Sequence, residues 1–173
     1  PLASVEALAD WLLALLDAAG VATAALAGHS MGSLVALETA ARAPARADRL
    51  VLVGTAFPMK VSPALLEAAR DDAHAAIESV LAYSHATLAA KPSYPGPGSW
   101  LHGSDRALMR RTHDGQRSTN LFVNDFQVCD RYTGAIAAAA RVTCPATVVV
   151  GAHDQMTFAS QAVELANALG ART

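Results

Sequence analysis

Short apolar runs alternate with longer amphipathic stretches in the first third of the chain. Valine and leucine recur at helical spacing between Ser4, which can cap a helix start, and Gly20, which can end the helix. The apolar runs at 24–27 and 50–53 are too short for helices, and the helix-forming stretch between them ends near Pro44. Two short apolar strands joined by a helix predict a right-handed parallel unit that is buried on both faces.

The middle of the chain, from residue 56 to about residue 141, has helical spacing and no strand signal. Helices are predicted to start or run at four places: Ser62-Pro63, Asp71 or Asp72, 105–111 and 118–129. A proline- and glycine-rich stretch at 91–98 predicts a loop between the second and the third. Ordinary crossover helices are the alternative, but one crossover needs only about a dozen residues. We therefore predict a helical insertion.

A β-branched run at 147–150 predicts a third strand near the carboxyl end. A polar segment from Gly151 to Thr157 follows, and a last amphipathic helix, with Thr157 as its cap, runs to Gly170. The predicted fold class is α/β. Its three strands are expected to be parallel, adjacent and ordered as in the sequence, with helices flanking them.

The residues Gly28-His29-Ser30-Met31-Gly32 lie at the corner between the first strand and the helix after it. A serine between two glycines at such a corner is typical of a nucleophile elbow. The sharp turn strains the backbone of Ser30, so small residues are expected on both sides. It would also expose the Ser30 hydroxyl at a helix N-terminus, where the N–H of Met31 can face a developing oxyanion. A five-residue motif can match by chance, but the predicted strand before it and the predicted helix after it favour the elbow.

On these residues the sequence resembles the α/β-hydrolase family. The resemblance implies a partial α/β-hydrolase fold, with a core at residues 1–55 and 142–173. It also implies that the helical insertion at 56–141 is a cap over the active site.

The resemblance further implies a Ser-Asp-His triad for acyl transfer. Ser30 would be the nucleophile, and Met31 would supply an oxyanion N–H. Asp154, in a Gly-x-x-Asp setting after the third strand, would be the triad acid. The alternative for Asp154 is a carboxylate at a helix N-terminus that only stabilises the last helix.

The base is the element of the triad that the chain does not provide in the expected place. In the resembled family a histidine follows the acid, and no histidine follows Asp154 here. The six histidines are His29, His74, His85, His102, His113 and His153. His29 is expected at a packing position inside the elbow. A solvated or hydrogen-bonded histidine is the default for each, although a cap histidine could reach the serine. The second oxyanion donor would precede Pro1. We therefore expect a fragment of a longer hydrolase that is inactive by itself.

The resemblance implies hydrolysis of a carboxylic ester or a related acyl substrate, such as a lactone or an amide, without a cofactor or a metal. Candidate apolar residues of the substrate site are Phe57, Met59, Trp100 and Phe122, with core packing as the alternative role. The other class of function is a non-catalytic hydrolase-fold module that binds a small molecule or a partner. A histidine after a further strand in the flanking sequence would favour the enzyme.

Composition narrows the expected partners. The chain is 53% hydrophobic with a net charge of −2, so nothing suggests nucleic acid. No apolar run approaches the roughly 20 residues of a spanning helix, so no membrane is expected. Cys129 and Cys144 lack metal-site spacing, and free thiols in a reducing, cytoplasmic compartment are favoured over a disulfide. The unpaired edges of the outer strands predict self-association.

Overall fold

A computed structural model describes residues 2–84, 101–116 and 118–171 of the chain. The described elements are α1 (Val5–Ala18), β1 (Ala24–His29), α2 (Met31–Arg42), β2 (Ala47–Val53), α3 (Pro63–Asp71), α4 (Ala73–Tyr83), α5 (Leu101–Asp114), α6 (Leu121–Arg131), α7 (Ala135–Ala139), β3 (Ala146–Val149) and α8 (Ala159–Leu169). A short 3-10 turn at Pro44–Arg46 leads into β2. The predicted loop at 91–98 lies outside the described residues.

The three strands form one parallel sheet in the order β1-β2-β3, which confirms the predicted fold class and strand order. In the register of the sheet, His29 pairs with Val53, and Val53 pairs with Val149. The carboxyl ends of all three strands therefore lie in one row. The loops that leave those ends meet at one edge of the sheet, which is where parallel α/β sheets place their sites.

Local signals set most of the helix boundaries. Ser4 caps α1 by accepting a hydrogen bond from the Ala7 nitrogen at 3.1 Å. Ser62 caps α3, and Asp72, the second of the two predicted candidates, caps α4. The helix predicted to begin at residue 118 begins instead at Leu121. The reason is that the Asn120 side chain accepts a hydrogen bond from the Val123 nitrogen and acts as the cap.

The helices are short and amphipathic. The longest described ones, α1 and α5, have 14 residues each. None of the described helices combines the length and the apolar character that crossing a lipid bilayer needs.

The main core lies between the sheet and its flanking helices. Its fully buried leucines come from α2, β2 and α8: Leu34, Leu37, Leu50, Leu52 and Leu165. Val128, Tyr132 and three alanines of α7 belong to the same core, although they lie in the segment predicted as cap. The division into a core and a cap at 56–141 stays a prediction, and this packing favours an earlier carboxyl boundary for the cap.

A buried carboxylate joins α2 to the end of α6. Glu38 is 5% exposed, and it accepts hydrogen bonds from the Tyr132 hydroxyl at 2.7 Å and from the Arg42 guanidinium at 2.9 Å. Burial and the Glu38 carboxylate together raise the pKa of Tyr132 far above its ordinary value. The phenol is therefore a permanent donor, and the carboxylate keeps the partners that a buried charge requires.

Candidate active site

Ser30 lies between the last residue of β1 and the first residue of α2 and has a strained backbone. Its φ is 50° and its ψ is −124°. It is the one non-glycine residue with positive φ in the part of the chain that the structure describes. Such a conformation costs about 1–3 kcal/mol and persists only where the surrounding structure enforces it. This is the backbone geometry that the elbow pattern predicts.

Gly28 is required by the close approach of β1 and α2. A Cβ at residue 28 would overlap the carbonyl group of Gly32 and would lie 2.7 Å from the backbone nitrogen of Ser33. A Cβ at Gly32, by contrast, would meet no described atom within 4 Å. The expectation of a necessary small residue is therefore confirmed at Gly28 and wrong at Gly32. The reason is that the first turn of α2 leaves open space beside residue 32.

Two buried hydroxyl groups support the elbow. The Ser33 hydroxyl donates to the carbonyl oxygen of Ser30 at 2.6 Å, and it is hydrogen bonded to the Thr55 hydroxyl at 2.8 Å. The backbone nitrogen of Ser30 donates to the carbonyl oxygen of Val53 at 3.0 Å. Sequence reasoning missed both hydroxyls, because a serine in a helix and a threonine after a strand carry no signal of their pairing.

Met31 is the first residue of α2. Its N–H belongs to the first turn, whose donors have no acceptor within the helix, and a helix N-terminus favours negative charge. Its side chain lines a second cavity of about 270 Å³ together with Leu8 and Asp125, among others. Burial raises the pKa of Asp125. The role of the Met31 N–H as an oxyanion donor stays a prediction.

Asp154 lies in the loop after β3 and is held by the residues that follow it. Its Oδ1 accepts hydrogen bonds from the nitrogens of Met156 and Thr157, both at 2.8 Å. Its Oδ2 accepts one from the Thr157 hydroxyl, also at 2.8 Å. Partial burial acts to raise the pKa of Asp154, but the hydrogen bonds from Thr157 and Met156 and the nearby His29 outweigh burial and lower it. Asp154 is therefore ionised at neutral pH.

Ser30 and Asp154 share the carboxyl edge of the sheet. Ser30 directly follows β1, Asp154 lies in the loop that leaves β3, and the two strands end in register through β2. This placement is the one that the triad hypothesis requires. The catalytic roles of the two residues stay predictions.

A cavity of about 400 Å³ opens beside Ser30. Its described lining comes from the elbow, the segment after β2, the helices α3, α4 and α6, and the Asp154 loop: Ser30, Met59, Lys60, Val61, Ser62, Leu65, Tyr83, Phe126, Cys129, Gln155, Met156, Thr157 and Phe158. The volume falls in the range of roughly 300–1,000 Å³ that is typical of small-molecule sites. The lining is mostly apolar, as expected for a site that accepts an apolar acyl or alcohol group.

The four residues predicted to line the substrate site differ in where the structure places them. Met59 lines the cavity and is 8% exposed. Phe57 packs against the main core, and Phe122 makes an edge-to-face contact with Phe126 at a centroid distance of 5.2 Å. Neither Phe57 nor Phe122 belongs to the described lining, because hydrophobicity alone does not tell a core contact from a cavity wall. Trp100 lies outside the described residues.

Cys129 and Cys144 are free thiols, as expected. Cys129 lines the cavity. Burial, together with the negative charge of Asp125, raises the pKa of the Cys129 thiol to about 12. The thiol is therefore protonated at neutral pH and is a poor nucleophile.

Two histidines lie near the acid. His29, predicted as a packing residue inside the elbow, is exposed at the end of β1, and its Nε2 would be 3.3 Å from a Cβ built at Gly54. His153 precedes Asp154 and is exposed. Neither position identifies a proton acceptor for Ser30.

The described histidines of the predicted cap segment contact other residues of the same segment. The His74 Nε2 is 2.9 Å from a carboxylate oxygen of Asp114. The His113 ring makes edge contacts with His74 and with Phe122. His102 lies in α5, and His85 lies outside the described residues. These contacts assign no base to Ser30.

A parallel sheet that carries a serine in elbow geometry and an ionised aspartate at its carboxyl edge defines an α/β protein of the hydrolase type. The sequence model of the alpha/beta hydrolase fold matches residues 3–172. The chain belongs to this family, which confirms the resemblance inferred from the elbow.

Solved structures agree with this assignment. A hydrolase from Pseudomonas aeruginosa PA01 is 26% identical over 98% of this chain, with a TM-score of 0.76. The enol-lactonase from Burkholderia xenovorans LB400 is 26% identical over 98% of this chain, with a TM-score of 0.73. An esterase from Exiguobacterium antarcticum is 14% identical over the whole chain, with a TM-score of 0.80, a likeness of fold alone. The chain spans 62%, 63% and 65% of these three structures, respectively.

Proposed function

We propose that this protein is a serine hydrolase that acts on a carboxylic ester or a related acyl substrate. The observation that carries the proposal is the strained backbone of Ser30 at the wall of a cavity of about 400 Å³. Backbone strain in a non-glycine residue is retained at functional sites far more often than elsewhere.

The reaction follows the usual course of acyl transfer. The Ser30 oxygen attacks the acyl carbon, its proton passes to a base, and the carbonyl oxygen becomes an oxyanion near the Met31 N–H. The alcohol leaves with that proton, and water then releases the acid from Ser30. Asp154, ionised, orients the base and stabilises its cationic form.

The cavity supports a small-molecule acyl substrate. Its walls are mostly apolar, and Lys60 is the charged residue in the described lining. The Lys60 ammonium donates to the Asp130 carbonyl at 2.6 Å and lies 3.6 Å from the Asp130 carboxylate. An apolar, uncharged ester therefore fits this lining. The enol-lactonase among the matching structures favours a related acyl substrate.

We infer that the 173-residue chain by itself hydrolyses esters too slowly to measure. No described contact assigns a base to Ser30, and the chain spans less than two thirds of the matching structures. In a well-studied serine protease, loss of the base alone lowers kcat by on the order of a million-fold.

The test compares two proteins, this chain and the product of the complete coding sequence. Each is treated with a fluorophosphonate probe and with p-nitrophenyl esters of increasing acyl length. The complete product is expected to be labelled at Ser30 and to hydrolyse the esters, and this chain to do neither. Ser30→Ala should remove both signals, and Asp154→Asn should lower turnover strongly. Ser79→Ala, an exposed serine on α4, is the matched control and should leave both signals unchanged.

Each of the two inferences has a result that would contradict it. Hydrolysis by this chain that Ser30→Ala removes would contradict the inferred inactivity, because a base would then lie within the chain, and the cap histidines would be mutated first. A complete product that is inert to probe and ester would favour a non-catalytic hydrolase-fold module that binds small molecules.

A further inference from the structure

The Asp154 carboxylate has most of its hydrogen-bonding capacity filled by two nearby residues, Met156 and Thr157, and Thr157 fills the larger share. A carboxylate offers about four acceptor positions. The Met156 nitrogen fills one of them, and the nitrogen and the hydroxyl of Thr157 fill two more. Both positions of Oδ1 are thereby used, and one position of Oδ2 is left for another donor.

Thr157 is itself tightly placed. It is 5% exposed and lines the cavity beside Ser30. A Cβ at Gly54, at the end of β2, would lie 3.4 Å from its hydroxyl oxygen. An ionised carboxylate has no proton to give, so the hydroxyl must be the donor in its bond with Asp154. Burial and this bond together fix the orientation of the Thr157 side chain.

We propose that Thr157 is a positioning residue for the triad acid: its hydroxyl and its N–H fix the Asp154 carboxylate and leave one acceptor position on Oδ2 for the N–H of the base. The inference rests on the proposed serine hydrolase function. It assigns a role to a residue that the sequence predicts only as a helix cap.

The structure argues against the helix-cap role. The helix α8 begins at Ala159, two residues after Thr157, and Phe158 occupies the cap position. The Gln161 side chain accepts a hydrogen bond from the Phe158 nitrogen at 3.2 Å, so this N–H at the start of the helix has a partner. The Thr157 hydroxyl is directed to Asp154 instead. The lowered pKa of Asp154 agrees with this, because hydrogen bonds from Thr157 are the main causes that oppose burial.

The first test uses this chain and needs no activity. The carboxyl carbons of aspartate are labelled with ¹³C, the Asp154 signal is assigned by its loss in Asp154→Asn, and its titration is followed by NMR. Thr157→Val keeps the size of the side chain and the backbone N–H of residue 157, and it removes the hydroxyl. We expect the Asp154 titration midpoint to rise in Thr157→Val and to remain near the wild-type value in Thr157→Ser.

The matched control is Thr39→Val. Thr39 is 1% exposed, and its hydroxyl donates within α2 to the Val35 carbonyl at 2.7 Å. This substitution also removes a buried threonine hydroxyl, and it should leave the Asp154 midpoint unchanged. An unchanged midpoint in Thr157→Val, or an equal shift in Thr39→Val, would overturn the proposal. Should Thr157→Val fail to fold, Thr157→Ser and Thr157→Ala replace it, because they differ only in the hydroxyl.

The second test separates this inference from the proposed function. In the complete product, Thr157→Val should lower kcat roughly tenfold or more, because this is the change in rate that corresponds to the loss of one hydrogen bond to a charged group. KM should change little, and Thr157→Ser should recover most of kcat. A shifted titration with unchanged kcat would overturn the positioning role. A shifted titration in a protein without Ser30-dependent hydrolysis would support the fixing of the carboxylate while the proposed function fails.

Discussion

The elbow and the acid loop place their functional residues at the same edge of the sheet, but they are held by different means. At the elbow the contacts join separate elements: Ser30 bonds to the end of β2, and Ser33 bonds to Thr55. In the acid loop all described hydrogen bonds of Asp154 lie within residues 151–157. One site depends on the packing of strand, helix and sheet, and the other on a local turn.

Because the two regions are held differently, substitutions in them should affect different properties: the stability of the fold at the elbow and the state of the carboxylate in the acid loop. A change at the elbow should disturb the core, because β1 and α2 are in contact there and Leu34 and Leu37 follow on the same helix. A change in the acid loop should leave the core intact and alter the carboxylate.

Gly28→Ala should lower the free energy of unfolding by about 3 kcal/mol or more, because the new methyl group would overlap the backbone of α2. Gly32→Ala is the matched control in the same motif. It meets open space and replaces a helical glycine, so a change within about 1 kcal/mol, in the stabilising direction, is expected. Urea denaturation followed by circular dichroism measures both. Equal effects of the two substitutions would contradict the packing account of the elbow.

Thr55→Val should lower the free energy of unfolding by about 1–3 kcal/mol, because the buried Ser33 hydroxyl loses a partner. Thr147→Val, the same substitution at an exposed position of β3, should be close to neutral. The same denaturation experiment applies. A neutral Thr55→Val would show that the hydroxyl pair contributes little to holding Ser30.

Asp154→Asn should change the pH dependence of stability more than the fold. The folded-state pKa of Asp154 is lowered, so its ionised form adds stability above the ordinary aspartate pKa of about 3.9. That contribution is lost as pH falls through the folded pKa. The stability difference between wild type and Asp154→Asn should therefore be present at pH 6 and shrink below about pH 4. Urea denaturation across this range checks it, and a difference independent of pH would contradict it.

Self-association is the weakest expected effect. The elbow follows β1 and the acid loop follows β3, and each of these strands has one unpaired edge in the described sheet. Such edges recruit other chains. Light scattering should show a mass that rises with concentration, and Ala27→Lys, at an exposed position of β1, should reduce it. A monomer at high concentration would contradict this prediction.

The sequence was sufficient for features that depend on neighbouring residues. The elbow, the strand order and the caps of α1, α3 and α4 follow from spacing and from residue types within a few positions. The position of Asp154 follows for the same reason, because it lies in the short loop after a β-branched strand.

The features that could not be predicted depend on residues distant in the chain or on competing local bonds. Ser33 and Thr55 are 22 positions apart, and nothing in either neighbourhood signals the other. Thr157 has the residue type of a helix cap, but its hydroxyl donates to the carboxylate three residues earlier, and α8 begins two residues later with Phe158 at the cap position. Phe57 and Phe122 are apolar like the residues that line the cavity, and only the three-dimensional structure distinguishes the two groups.

The protonated thiol of Cys129 affects which side chain of the cavity an electrophilic probe modifies. An electrophile that enters meets both Ser30 and Cys129 on the walls. With a pKa of about 12, roughly one Cys129 side chain in a hundred thousand is a thiolate at pH 7. Probes that react with both hydroxyl and thiol nucleophiles will therefore modify Cys129 slowly at neutral pH, so this thiol competes little with Ser30 for an electrophile inside the cavity.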